Sequence, residues 1–191
     1  MRKVISHWLM CLPLLACFVS VATAHAEAHE ISVKGTVDVK LDVAAGKAAV
    51  RNDAWKAAVV ESKGGEWTLH EVDGRTLASA SKNSAGDIEL KDGAGKRAYS
   101  FKMSGETYRI SDAEAKPVYR VKIKEDKFNV YDPSDKRILH GKQKDDGYGV
   151  RDDSDNQVLK VKGTKSLRET SLLSVPLEAQ YRIVAWAAEN L

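Results

Sequence analysis

Apolar and polar residues alternate along most of this chain, and the alternation itself repeats. Every twenty residues from Ile88 the same position holds Ile88, Tyr108, Phe128 and Tyr148. Two residues on stand Leu90, Ile110, Val130 and Val150, and two further on Asp92, Asp112, Asp132 and Asp152. A short polar gap leads to Lys96, Lys116, Lys136 and Asn156, then to the apolar doublets Ala98–Tyr99, Val118–Tyr119, Ile138–Leu139 and Val158–Leu159. A weaker fifth unit runs from Trp67 and Leu69 through Asp73 and Arg75 to Leu77 and Ala80. A sixth runs from Val39 and Leu41 through Gly46 to Ala49 and Val50. Self-similarity at a fixed period means one supersecondary element repeated.

Alternation on both sides of each gap is strand periodicity. The gaps carry Asp-Gly, Asp-Pro-Ser-Asp and Asp-Asp-Ser-Asp, which are turn chemistries. Each unit therefore reads as a β-hairpin. A lone hairpin is marginal in water, whereas several side by side bury a shared face. The expected fold is mainly β, with about six tandem antiparallel hairpins, and so about twelve strands, in a barrel-like sheet. Between Arg51 and Gly65 the pattern breaks. That stretch reads either as a short helix capped by Asp53 and ended by Gly64, or as an extended strand end.

The C-terminus changes character. Residues 175–190 predict a helix with Pro176 in its first turn. On a helical wheel Glu178, Arg182, Ala185 and Glu189 share one narrow stripe, and apolar residues fill nearly all the rest. Glu178 and Arg182, four apart, are placed to pair. A helix apolar on most sides is buried on most sides, so the sheet is expected to lie around or against it. An open hairpin array with the helix packed on one face is the structural rival.

The first residues do not belong to that core. A basic start, Arg2 and Lys3, precedes a mostly apolar run from Val4 to Val21 and small-residue sites at Ala22, Ala24 and Ala26. This is the layout of a secretory signal peptide over residues 1–26, with cleavage after Ala26 favoured and after Ala24 next. It leaves one domain over residues 27–191 and an exported protein, periplasmic or secreted. The alternative is a lipoprotein anchored through Cys17, since Leu14–Cys17 resembles a lipobox; an uncleaved anchor comes third. No later segment reaches the roughly 18 apolar residues of a membrane helix, so no transmembrane helix is expected in the mature chain.

Cys11 and Cys17 both lie in the leader, so the mature chain is expected to have no disulfide framework, thiolate nucleophile or cysteine metal site. The full chain has 30 basic and 27 acidic side chains; losing Arg2 and Lys3 leaves 28 and 27, a formal charge of +1. Near-zero charge and export argue against nucleic acid as a partner, and oligomeric state is left open.

The candidate chemistry is sparse. The recurring aspartates, with Asp135, Asp153 and Asp155, hint at calcium but lack the spacing of an EF-hand loop. Their ordinary role is to open a turn by bonding their own backbone. His70 and His140 fall on the polar phase of predicted strands, and no motif calls for a cofactor or a catalytic group. The most specific feature is the polar phase of each hairpin's second strand. Lys102, Lys122, Lys142 and Lys162 share one repeat position, with Arg120 and Lys160 beside them, and alternation puts them on the solvent face. They read either as a solubility device or as a face for an anionic ligand.

The hairpins "YRISDAEAKPVYRVK" and "FNVYDPSDKRIL", followed by one apolar helix, resemble the tubby-like barrel superfamily, which includes LURP-one-related proteins and phospholipid scramblases. The resemblance covers about Val33 to Leu191 and is one of fold. It implies a barrel with a central helix and a lipid-associated or membrane-linked binding role. It carries over no binding residues, and the export leader departs from the mostly intracellular relatives. Two function classes follow. One is an exported, non-enzymatic binding or envelope-associated module for anionic lipid or glycan. The other is an enzyme with a site at the barrel mouth.

Overall fold

A computed structural model describes residues 29–35, 38–52, 55, 57–145 and 147–191. The leader, with its cleavage site and Cys17, lies outside the described residues, as does Asp53. Fourteen strands are present among the described residues: β1 (His29–Gly35), β2 (Val39–Ala44), β3 (Lys47–Asn52), β4 (Ala58–Lys63), β5 (Glu66–Glu71), β6 (Thr76–Lys82), β7 (Ile88–Asp92), β8 (Arg97–Ser104), β9 (Thr107–Asp112), β10 (Pro117–Ile123), β11 (Lys127–Tyr131), β12 (Arg137–Lys144), β13 (Gly147–Asp152) and β14 (Gln157–Lys162). Each pairs antiparallel with the next, and β1 pairs antiparallel with β14, so the sheet is a closed barrel.

The six repeat units are β2–β3, β5–β6, β7–β8, β9–β10, β11–β12 and β13–β14. The two further strands are β1 and β4. β4 occupies the stretch for which a helix was one expectation; Ala58 and Val60 are buried in alternation with Val59 and Glu61, and both edges are paired. An antiparallel barrel closes without a parallel pair only if the strand count is even, and β1 and β4 together keep it even.

The doublets in the repeat have a structural cause. In five hairpins the second strand holds one extra residue against its partner, at Leu77, Ala98, Val118, Ile138 and Val158. A bulge of this kind lets two neighbouring side chains lie near the same face and tightens the twist. Without it, the second apolar residue of each doublet would point to solvent.

The inward phase is the core. Leu41, Val60, Leu69, Leu90, Phe101, Ile110, Val121, Val130 and Val161 are all fully buried. The outward phase is polar, and Val72 at the β5–β6 turn is the only large apolar side chain exposed among the described residues. This is the reverse of a membrane barrel, whose outer band is apolar.

Two helices occupy the interior, α1 (Leu167–Ser174) and α2 (Ala179–Asn190). α2 packs against β4–β7 and α1 against β10–β12, strands on different sides of the barrel. Geometry decides why two are needed. Fourteen strands about 4.8 Å apart and tilted by roughly 40° give a barrel about 28 Å across. Sheet, helix, helix and sheet stacked at roughly 9–10 Å per layer span nearly the same distance. A single helix, as expected from the sequence, would leave a void.

α1 reads as too polar for a core, with Thr170, Ser171 and Ser174 fully or almost fully buried. Their hydroxyls bond carbonyls one turn back: Thr170 to Ser166, Ser171 to Arg168 and Ser174 to Thr170, at 3.0, 2.8 and 2.7 Å. Nothing buried on those side chains is then left unpaired. Ser166 caps the helix by accepting from the Glu169 amide at 3.2 Å, and Glu169 accepts from the Lys165 amide at 3.2 Å.

α2 is shorter than expected. Val175 and Pro176 lie in the link between the helices, and Glu178 is the N-cap with ψ 147°, outside the helical wheel. That is why the expected Glu178–Arg182 pair does not form. Glu178 accepts instead from the Tyr99 hydroxyl at 3.4 Å, which burial and then the Glu178 charge push up to about 12. The Tyr99 ring meets Tyr181 edge-on, centroids 5.1 Å apart. At the other end of α2, Glu189 is held by Lys82 Nζ at 3.0 Å and the Tyr108 hydroxyl at 3.3 Å. Burial, and the neighbouring Glu189, raise the Tyr108 pKa.

Two predictions follow from this packing. Trp186 is 1% exposed, so Trp186→Ala should lower unfolding free energy in denaturant titration by about 3–5 kcal/mol. Gly163 carries the chain from β14 into the barrel at φ +79°, and an added Cβ would stand 1.9 Å from the Glu30 carbonyl oxygen of β1. Gly163→Ala should cost about 2–4 kcal/mol, from left-handed strain plus the clash. Gly95→Ala shares the positive φ, but nothing lies within 4 Å of its added Cβ, so it should cost only about 0.5–1 kcal/mol, the strain less the freedom that an unfolded glycine would have.

Candidate functional site

The recurring aspartates form an arc of turns along nearly half of one rim of the barrel. Asp92 Oδ1 accepts from the amides of Ala94 and Lys96 at 3.0 and 2.9 Å. Asp132 Oδ1 accepts from the Ser134 amide and hydroxyl and the Lys136 amide at 2.9, 2.7 and 3.0 Å. Asp152 repeats the pattern with Ser154 and Asn156 at 3.0 and 2.9 Å, and Asp112 bonds the Lys116 amide at 2.8 Å. The Ser134 hydroxyl is the main cause holding the Asp132 carboxyl below its usual range. These carboxylates are occupied by their own backbones. Among the described residues no three His, Cys, Asp or Glu side chains gather in a metal-binding arrangement. His70 and His140 sit on the outer face, 4.0 Å from Glu61 and 3.4 Å from Asp155.

The basic residues lie on the outer face as alternation requires: Lys102, Lys142 and Lys162 are exposed, and Arg120, Lys122 and Lys160 partly so. Closure changes what their alignment means. Lys102, Lys122, Lys142 and Lys162 belong to β8, β10, β12 and β14, and six of the fourteen strand steps separate the first from the last. Lys102 and Lys162 are thus nearly half a circumference apart. The four cannot meet one flat surface together, so the expected single face is a band around the barrel.

Register concentrates charge elsewhere. Lys102 stands directly opposite Arg109, and Arg109 directly opposite Arg120. Arg120 is ion-paired with Asp135, and its guanidinium lies 4.8 Å from the centre of the Tyr131 ring. Lys102 and Arg109 have no acidic partner among the described residues. Beside this row Ser100 stands opposite Ser111. Their small side chains leave a groove of about 310 Å³, edged by Arg97, Lys102, Arg109 and Arg120, with Pro117 and Pro133 toward the rim and the turn-bound Asp132 and the Arg120-paired Asp135 at that end. Arg97 donates to the Ser100 hydroxyl at 3.1 Å and lies 4.0 Å from Glu89. The groove is a shallow cationic trough on a rigid sheet, suited to holding an anion.

The other sequence-predicted residues do not join it. Lys122 lies over Tyr131 from the far side of the row, 5.6 Å from the ring centre. Lys142 faces Lys127 and Gly149. Lys160 and Lys162 border a separate hollow of about 280 Å³ at the barrel seam with Lys34, Lys40 and Glu30, where Lys40 is 3.9 Å from Glu30. Sequence reasoning found Lys102 and Arg120 but missed Arg97 and Arg109. Arg109 was accessible: it is the polar-phase residue of its strand, and folding that hairpin about its turn sets it opposite Arg120.

No family model, curated protein or solved structure matches the chain.

The turn that borders the groove generates a prediction. The third residue after each aspartate is left-handed, and the repeat fills that position with Gly95, Ala115, Asp135 and Asp155 at φ 79°, 64°, 68° and 67°. Asp tolerates this conformation and Gly adopts it without strain, whereas Ala does not. Ala115→Gly should raise stability by about 0.5–1 kcal/mol, the relieved strain less the extra freedom of an unfolded glycine. A thermal melt of the variant beside wild type reads it.

Proposed function

We propose that the protein is an exported, non-enzymatic module that binds anionic lipid or glycan of the cell envelope in the basic groove between β8 and β11. The observation that carries this reading is the row Lys102, Arg109, Arg120. Three cations stand directly opposite one another on adjacent strands, and two lack an acidic partner among the described residues. Like charges in directly opposed positions destabilise a sheet. An anion in the groove removes that repulsion and gains charge-assisted hydrogen bonds. The four strands concerned cover less than a third of the barrel, so the row presents itself to one surface where the full lysine band does not.

Export rests on the layout of the leader. Kinship with the tubby-like superfamily is supported by the pairing of a hairpin barrel with an apolar C-terminal helix, and is proposed at the level of fold. The enzymatic alternative places chemistry at the barrel mouth, where Arg182 stands among apolar walls. That environment suits holding a ligand better than transferring a group to it.

Co-sedimentation of the exported protein with vesicles containing phosphatidylglycerol tests the reading. At about 1 kcal/mol per basic residue near an anionic surface, replacing Lys102 and Arg109 together with glutamine should weaken binding by about 2 kcal/mol, roughly thirty-fold. Melting should change little. Wild-type binding should fall steeply as salt rises through the physiological range. The matched control, Lys142→Gln with Lys127→Gln, removes two charges outside the groove lining, at the end of β11 away from Tyr131, and should leave binding nearly intact. Equal losses in the two double variants would mean diffuse charge attraction and would sink the groove.

A further inference from the structure

The rim that carries the aspartate turns also opens onto a second hollow, of about 380 Å³, inside the barrel wall. Leu139 at the start of β12, Val158 and Leu159 at the start of β14, and Val175 and Leu177 of the helix link line it. Arg182, on the second turn of α2, enters it from within. Its exposure is 9%.

Arg182 has no carboxylate within ion-pair distance among the described residues. One of its terminal nitrogens donates to the Leu173 carbonyl at 3.1 Å, and its buried Nε has no partner. The bond to Leu173 satisfies one orphan carbonyl at the end of α1, a reason to place a donor here. It does not account for a full charge. A guanidinium stays ionised in a protein, and a buried charge without a counter-ion is strongly unfavourable. Apart from Ser174 and Glu178 the walls are apolar, which suits a partner that brings an anion on an apolar body. A volume of this size lies within the range of small-ligand sites, roughly 300–1,000 Å³.

We propose that this hollow binds a single-chain carboxylate amphiphile of the fatty-acid class. The ligand carboxylate pairs with Arg182, and its alkyl chain lies along Leu139, Val158, Leu159, Val175 and Leu177. A planar carboxylate matches the guanidinium fork. A single negative charge also fits better than a phosphate dianion, because Glu178 stands on the same rim. The site is separate from the outer groove, and neither depends on the other.

The test titrates the exported protein with dodecanoate, dodecanol and dodecyl phosphate, each below its micellar concentration, by calorimetry. Saturable dodecanoate binding at least ten-fold tighter than dodecanol is expected, with dodecyl phosphate weaker than dodecanoate. Arg182→Gln should bring dodecanoate down to the dodecanol level, and Arg182→Lys should restore part of the preference. Val158→Trp fills the hollow from a partly exposed bulge position and should remove binding of both ligands without lowering the melting temperature. It keeps the test decisive if Arg182→Gln does not fold. Dodecanoate binding that is absent, no tighter than dodecanol, weaker than dodecyl phosphate, or unchanged in Arg182→Gln or Val158→Trp overturns the proposal. The double variant Lys102→Gln with Arg109→Gln should bind dodecanoate as wild type does, which separates this site from the outer groove; loss there would also overturn it.

Discussion

A barrel of fourteen strands encloses more space than its own inward side chains can fill, and the rest of the structure depends on how that space is occupied. The chain fills it with its own C-terminus, turned into a helical hairpin. This requires α1 to be apolar or internally satisfied on every side, which is why Thr170, Ser171 and Ser174 bond the backbone one turn back. It requires a narrow entry, which Gly163 provides against β1. It also ties closure to filling, because β1 and β14 meet where the chain turns inward. Closure of the barrel and packing of the plug are therefore coupled at the seam.

The two ends of the plug are held differently. At one rim the carboxylate of Glu189, whose side chain is 7% exposed, is fixed by Lys82 and Tyr108. There a buried charge has its partners. At the other rim the link between the helices is short, Glu178 turns outward to Tyr99, and Arg182 is left facing an apolar gap. The contrast matters because the same fold shows how it satisfies an ion when it needs to.

Outside, closure converts sequence distance into angle. Residues at one repeat position lie two strands apart, and four of them spread over nearly half the barrel. Charges at one repeat position therefore add less than charges at one register position. Lys102, Arg109 and Arg120 come from three strands and three different repeat positions, yet they are nearest neighbours across the sheet. Ser100 and Ser111 deepen the surface beside them because small side chains meet there.

Local pattern determined much of this protein. Period-two alternation and the aspartate gaps specify hairpins, since side-chain direction along a strand and turn chemistry are decided within a few residues. The doublets such as Val118–Tyr119 were visible as well, though their meaning as bulges was not. The helix 179–190 was legible from its apolar surround. α1 was not read, although Ser166 and Glu169 carry the spacing of a capped start, because its serines and threonines look like surface until their acceptors are known. β1 escaped, and β4 was left open between helix and strand, because both stand outside the repeat, and only pairing with both neighbours makes a strand of a short alternating run. The groove and the Arg182 hollow were decided by tertiary structure alone. Each brings together residues whose nearness depends on barrel register and on the depth of the plug, and neither quantity is written in any local stretch of sequence.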